Sequence, residues 1–101
     1  MLIVTGSATA RTGCFDDLLA LSLEHVRRSR QEPGCISHAV NIDAENPMRL
    51  VFIEEWQDRP SLSAHFALPA SRAFIKAARQ LADGPVIIRI YEANPVEISD
   101  V

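Results

Sequence analysis

The sequence predicts an α+β fold: a four-stranded antiparallel sheet with its helices on one face, in the chain order βαββαβ. Three observations predict it. Four segments carry apolar residues with the period of a strand, two regions carry them at helical spacing, and glycine, proline, aspartate and asparagine fall at the joins. A length of 101 residues suits one domain, here 1–101, with one modest core.

Leu2 to Ala10 reads as the first strand. Leu2, Val4, Gly6 and Ala8 fall on one side and Ile3, Thr5, Ser7 and Thr9 on the other, and its first half is apolar on both. Arg11-Thr12-Gly13 turns the chain into a helix from about Cys14 to Gln31. Phe15, Leu18, Leu19, Leu23 and Val26 form its apolar stripe, with Asp16 and Asp17 in the first turn. Glu32-Pro33-Gly34 ends it, because a residue before proline avoids helical geometry and glycine takes the tight reversal.

Cys35 to Asp43 alternates, with Ile36, His38, Val40 and Ile42 on its drier side. A turn cluster, Asp43 to Pro47, leads into a third strand from Arg49 to Gln57, so the two strands pair as a hairpin. Leu50, Phe52, Glu54 and Trp56 share one face of that third strand. Asp58 is placed to cap a short helix carrying Leu62, His65 and Phe66. Pro69 breaks it, and a second stretch follows with Phe74, Ala77, Ala78 and Leu81 in register. Asp83-Gly84-Pro85 leads to a last strand, Val86 to Glu92. The tail after Asn94-Pro95 is expected as an edge strand or a frayed end.

This order is the split βαβ, or ferredoxin-like, arrangement. Its helices cover one face of the sheet, yet the first and last strands are apolar on both. A second copy packed sheet to sheet through a two-fold axis would cover the open face, so a homodimer is expected.

The net charge of −3 gives no basic stripe for a nucleic acid. Arg27, Arg28 and Arg30 cluster only at a helix C-terminus, where cations suit the dipole. The apolar start, Leu2 to Val4, is too short for a signal peptide, and no run approaches a membrane span, so a cytoplasmic protein without a membrane partner is expected. Cys14 and Cys35 make neither a disulfide framework nor a metal pair. The three histidines stand apart in sequence without ligand spacing, so no metal is expected, and no dinucleotide or phosphate-loop motif points to a cofactor.

Three stretches carry a resemblance: Glu32-Pro33-Gly34-Cys35, Glu54-Glu55-Trp56-Gln57-Asp58 and Leu62-Ser63-Ala64-His65-Phe66. Together they resemble the antibiotic biosynthesis monooxygenase family, with its Pro-Gly-Cys turn, Glu-x-Trp strand end and Leu-x-x-His step, in the same element order along essentially the whole chain. The resemblance implies a dimeric α+β barrel with a small pocket between each sheet and its own helices. It also implies oxidation of a small phenol or quinol by dioxygen without metal or flavin. The chain departs from the family pattern after Pro69, where Ala70 and Ser71 stand in place of a second histidine, and in its second strand, where His38 replaces a tyrosine. Ser7 and His65 stand where the haem-degrading branch has asparagine and tryptophan.

Oxygenation without a cofactor needs a dry pocket, a base near neutrality and donors for a phenolate. His65 is the candidate general base by its type and its helical face, set against a histidine that merely bonds a carbonyl at the core's edge. Glu54 is the second candidate, set against an ion pair with Arg89. Ser7, Phe52, Trp56, Phe66, Phe74, Arg89 and Tyr91 are the candidate pocket residues. His38 reads as a half-buried histidine of the sheet or of a dimer core. Two other functions fit the same residues: a dimer that binds a small molecule without turnover, and an isomerase in which His65 moves a proton.

Overall fold

The computed structural model describes all 101 residues. The elements are β1 (Leu2–Thr9), α1 (Phe15–Ser29), β2 (Cys35–Asp43), β3 (Asn46–Trp56), α2 (Arg59–Ala67), α3 (Pro69–Leu81) and β4 (Ile87–Glu92). The strands form one antiparallel sheet in the order β2-β3-β1-β4. This is the ferredoxin-like α+β arrangement read from the sequence.

The differences lie at the ends of elements. Helix α1 stops at Ser29 rather than Gln31. Strand β3 begins at Asn46 rather than Arg49, so the hairpin is tighter than the turn cluster suggested. Side chains stabilise that tight turn: Asp43 accepts from the Glu45 amide at 2.9 Å, and Arg49 pairs with Asp43 at 3.0 Å. The tail neither pairs as an edge strand nor runs on without structure, but closes in a single 3-10 turn, Ile98–Asp100.

The break in the second helical region has a local cause. Leu68, just before Pro69, lies in an extended conformation, and Pro69 restarts the chain at the first turn of α3. Asp58 caps α2 as expected, accepting from the Ser61 amide at 2.9 Å.

The buried stripe of α1 is rotated from the one periodicity drew. It runs through Leu18, Ser22, His25, Val26 and Ser29, while Phe15, Leu19 and Leu23 are half-buried. The Ser29 hydroxyl satisfies itself on the His25 carbonyl at 2.7 Å. The inward residues of β3 explain why a polar stripe is tolerated. Leu50 and Phe52 belong to one apolar cluster with Leu18 and Val26, and Trp56 belongs to another with Leu2, Val4 and Leu62. Glu54 falls between them, and the polar stripe of α1 supplies part of what faces that gap.

The opposite sheet face carries no helix of this chain. By strand register Ile3, Val51, Ile53, Ile87 and Tyr91 lie on it, and Ile53 and Tyr91 are each about half exposed (48% and 49%). Strand β4 is exposed along its whole length.

Gly34 ties α1, β2 and α2 together. It sits at φ +83°, its carbonyl accepts from the Gln57 amide at 2.8 Å, and a Cβ there would lie 2.1 Å from the Ser61 hydroxyl oxygen. Gly34→Ala meets both the left-handed backbone penalty, roughly 1–2 kcal/mol, and that clash. It should therefore destabilise the fold by about 2 kcal/mol or more, measured by denaturant unfolding.

Candidate functional site

The helices and the sheet enclose a cleft with an empty volume of about 540 Å³ out to its mouth. It is narrow, with a cavity volume of about 40 Å³. Eleven of its 16 lining residues are apolar, and Phe52, Phe66 and Phe74 are among them. Its polar wall is made by His25, Glu54 and His65.

Three histidines distant in sequence meet at this wall, a convergence that no spacing along the chain predicts. His25 comes from α1, His38 from β2 and His65 from α2, and each is at least 96% buried. Their ring centres are 5.3 to 5.7 Å apart. Antiparallel pairing sets His38 opposite Glu54 on β3, and alternation turns both toward the helices. His38 is thus a buried member of the site rather than a half-buried sheet histidine.

Each ring has a distinct environment. The Glu32 carboxylate accepts from Nδ1 of His65 at 2.9 Å, which leaves Nε2 on the side of Glu54, 3.9 Å from Oε1. Arg28 donates to Nδ1 of His25 at 3.2 Å, and Phe74 stacks on the same ring with centres 4.1 Å apart. His38 has Nε2 3.1 Å from Oε1 of Glu54, but off the line of a directed ring N–H bond, so neither of its nitrogens has a hydrogen-bond partner. Trp56, wholly buried, donates its indole N–H to Oε1 of Glu54 at 2.9 Å.

Glu54 does not pair with Arg89. Its partners are His38, Trp56 and His65, while Arg89 lies opposite Thr5 on the other face of the sheet. Burial pushes the Glu54 carboxyl up, but the close approach of His38, the hydrogen bond from the Trp56 indole and the charge of His65 more than offset this, so it lies below the usual carboxylate value. Burial lowers the His25 imidazole to about 3, helped by the charges of His38, His65 and Arg28 and opposed by Glu54. Burial also raises the Cys35 thiol, which makes it a poor nucleophile.

Of the residues singled out from the sequence, His65, Glu54, Phe52, Phe66 and Phe74 line the cleft. Trp56 lies behind it, holding Glu54. Ser7 borders the cleft, but its place opposite Val51 and Ile87 puts its side chain on the outer face. Arg89 and Tyr91 also belong to the outer face, because they pair with Thr5 and Ile3. Sequence reasoning missed His25 and Glu32. The signal for His25 was available: it lies one residue from Val26 and seven from Leu18, inside the buried stripe. Glu32 carried no signal beyond its place in the turn.

This sheet, with a cleft between its inner face and its own helices, defines a ferredoxin-like α+β protein with a buried histidine–carboxylate site. Residues 1–77 match the family model for antibiotic biosynthesis monooxygenases, and the chain belongs to that family. It is 31% identical over 91 residues to protein sll1783 of Synechocystis, and the match covers 90% of this chain and 62% of that protein's length. A crystal structure from Deinococcus radiodurans, named as a candidate antibiotic biosynthesis monooxygenase, superposes with a TM-score of 0.91 at 28% identity, covering 96% of each chain. The structure of Rv0793 from Mycobacterium tuberculosis shares the fold, with a TM-score of 0.86 at 24% identity over 96% of this chain and 97% of that one. No helix is long and apolar enough to cross a membrane.

The lowered His25 value has a measurable consequence. An unfolded His25 takes up a proton as pH falls through 6.5, while the folded one stays neutral until about 3. The unfolded state therefore binds more protons across that window, and stability falls as pH falls, by up to about 1.4 kcal/mol per unit. Between pH 7 and 5 the depressed carboxyl of Glu54 adds little, since it acts only below its ordinary 4.5. Denaturant midpoints should drop over that range in the parent, and His25→Gln should flatten the slope.

Proposed function

We propose that the cleft carries out a cofactor-independent monooxygenation of a small phenol or quinol by dioxygen. The observation that supports this best is His65, with Nδ1 bonded to Glu32 and the other ring nitrogen on the cleft side near Glu54. A carboxylate on one imidazole nitrogen fixes the tautomer and makes the other a better base. His65 takes the phenolic proton, and the phenolate then transfers an electron to dioxygen. The resulting radicals join as a C–O bond at a ring carbon. Loss of the ring proton and cleavage of the O–O bond release water and leave a quinone. All the electrons come from the substrate, so no external reductant is consumed. The apolar wall of Phe52, Phe66 and Phe74 suits an aromatic ring and keeps water from the reacting centre.

His65→Ala should lower oxygen consumption with a phenolic substrate by on the order of a hundredfold or more. His65→Gln keeps a hydrogen bond but cannot take the proton, and should be equally slow. Parent-like turnover by both variants at every pH would show that the histidine is structural.

We further propose that the chain acts as a homodimer through the open sheet face. Ile53 and Tyr91, half exposed there, support this reading, as does the exposure of β4 on both sides. Light scattering at micromolar concentration should give twice the chain mass, and Ile53→Lys should give a poorly soluble monomer. A monomeric parent would end the proposal.

A further inference from the structure

The three-histidine cluster has features that base catalysis by His65 does not use. His38 is buried on all sides; its Nε2 meets only the Glu54 carboxylate, at 3.1 Å and off the line of a directed bond, and its Nδ1 has no hydrogen-bond partner. Such a group is costly to bury unless something meets it. His25 is not required for proton removal either. Two carboxylates face the trio: Glu54 against His38 and His65, and Glu32 behind His65.

We propose that His25, His38 and His65, together with Glu54, bind one divalent first-row transition-metal ion. One potential ligand atom from each ring lies within 4.8 Å of the other two. The ring centres form a nearly equilateral triangle with sides of 5.3 to 5.7 Å. Imidazoles bound at 2.0–2.1 Å have centres about 3.2 Å from the ion, hence about 5.2 Å apart at tetrahedral angles and about 5.5 Å apart in a trigonal plane. The observed triangle has these dimensions. Closing the ligand nitrogens to a tetrahedral edge of about 3.3 Å needs ring rotations of about an ångström rather than movement of the backbone.

The remaining groups fit the role. Oε1 of Glu54, 3.1 Å from Nε2 of His38 and 3.9 Å from Nε2 of His65, supplies an oxygen ligand at close to the same edge length. Glu32 on Nδ1 of His65 has the place of the carboxylate that orients a metal-bound histidine. Glu54 and Glu32 together match the charge of a divalent ion. Three imidazoles with one carboxylate suit zinc, cobalt, nickel, copper or iron, and not magnesium or calcium. Arg28 opposes capture: it donates to Nδ1 of His25 and adds a positive charge. Its side chain is 36% exposed and reaches Glu24 at 3.6 Å, so it can swing aside.

This inference goes beyond the proposed reaction and does not rest on it, because binding is read without substrate. An ion in the site takes the lone pair that His65 needs as a base, so the ion should inhibit the proposed oxidation.

The test titrates untagged, chelator-treated full-length protein with Zn²⁺ by calorimetry and with Co²⁺ by visible absorption. One equivalent should bind, with a dissociation constant of about a micromolar or lower, and Co²⁺ should give the intense bands of a four-coordinate site. Glu32→Gln should weaken binding about 10- to 100-fold, as loss of an orienting partner does. His25→Ala, His38→Ala, His65→Ala and Glu54→Gln should each weaken it further, and Arg28→Ala should tighten it. Folding of each variant is checked by circular dichroism, with His→Gln replacing any alanine form that unfolds. No saturable binding by the parent, or binding undiminished in the folded His38 variant, would overturn the proposal, and weaker binding by Arg28→Ala would remove His25 from the ligand set. Oxygen uptake that Zn²⁺ lowers and a chelator restores supports both readings. Uptake that requires an added metal would keep the metal site and overturn the cofactor-free reaction. Uptake in a protein that binds no metal would do the reverse.

Discussion

The structure depends on a carboxylate placed where a sheet of this size would otherwise have apolar packing. Glu54 sits on the inner face of a central strand, 7% exposed, between Phe52 and Trp56. A buried charge without partners costs several kcal/mol, so everything that meets it is constrained. Trp56, two residues on, donates its indole N–H from the same strand face. His38 meets it across the β2–β3 pair, and His65 descends from α2. A one-residue slip of β2 would turn His38 to the outer face and strip Glu54 of a partner, so the polar site and the strand register specify each other.

That one residue also divides the core. The apolar residues collect into two clusters, one around Leu18, Leu50 and Phe52 and the other around Leu2, Val4 and Trp56. The cleft opens where packing is interrupted by polar groups that must be satisfied, and its narrowness follows from the full packing on either side. The break at Leu68–Pro69 lets α2 and α3 run separately, so His65 from one and Phe74 from the other reach the same wall. Gly34 adds a second constraint, because its turn holds Glu32 where the His65 ring can reach it.

Much of this was legible along the chain. Alternation placed Phe52, Glu54 and Trp56 on one face of β3, and helical spacing placed Leu62, His65 and Phe66 together on α2. The errors share a cause. Residue type groups Arg89 and Tyr91 with the pocket, although strand parity sets their side chains on the far side of the sheet, and it leaves Ser7 only bordering the cleft. The stripe of α1 was drawn through its leucines, whereas the buried face also takes in Ser22, His25 and Ser29. An apolar-count reading passes over polar residues on a buried face, and those are the residues that mark a site.

The sequence by itself determined the fold class, the family motifs, the helix break and the inward direction of Glu54 and His65. These follow from periods of two and 3.6 residues and from proline and glycine, all short-range effects. The tertiary structure alone decided that His25, His38 and His65 face one another, that Glu32 rather than a backbone carbonyl holds His65, and that Glu54 is bonded to Trp56 and approached by His38 instead of Arg89. The reason is physical. Each histidine lies on a different element, and only strand pairing and the docking of α1 and α2 on the sheet set the distances between them, which no spacing along the chain encodes.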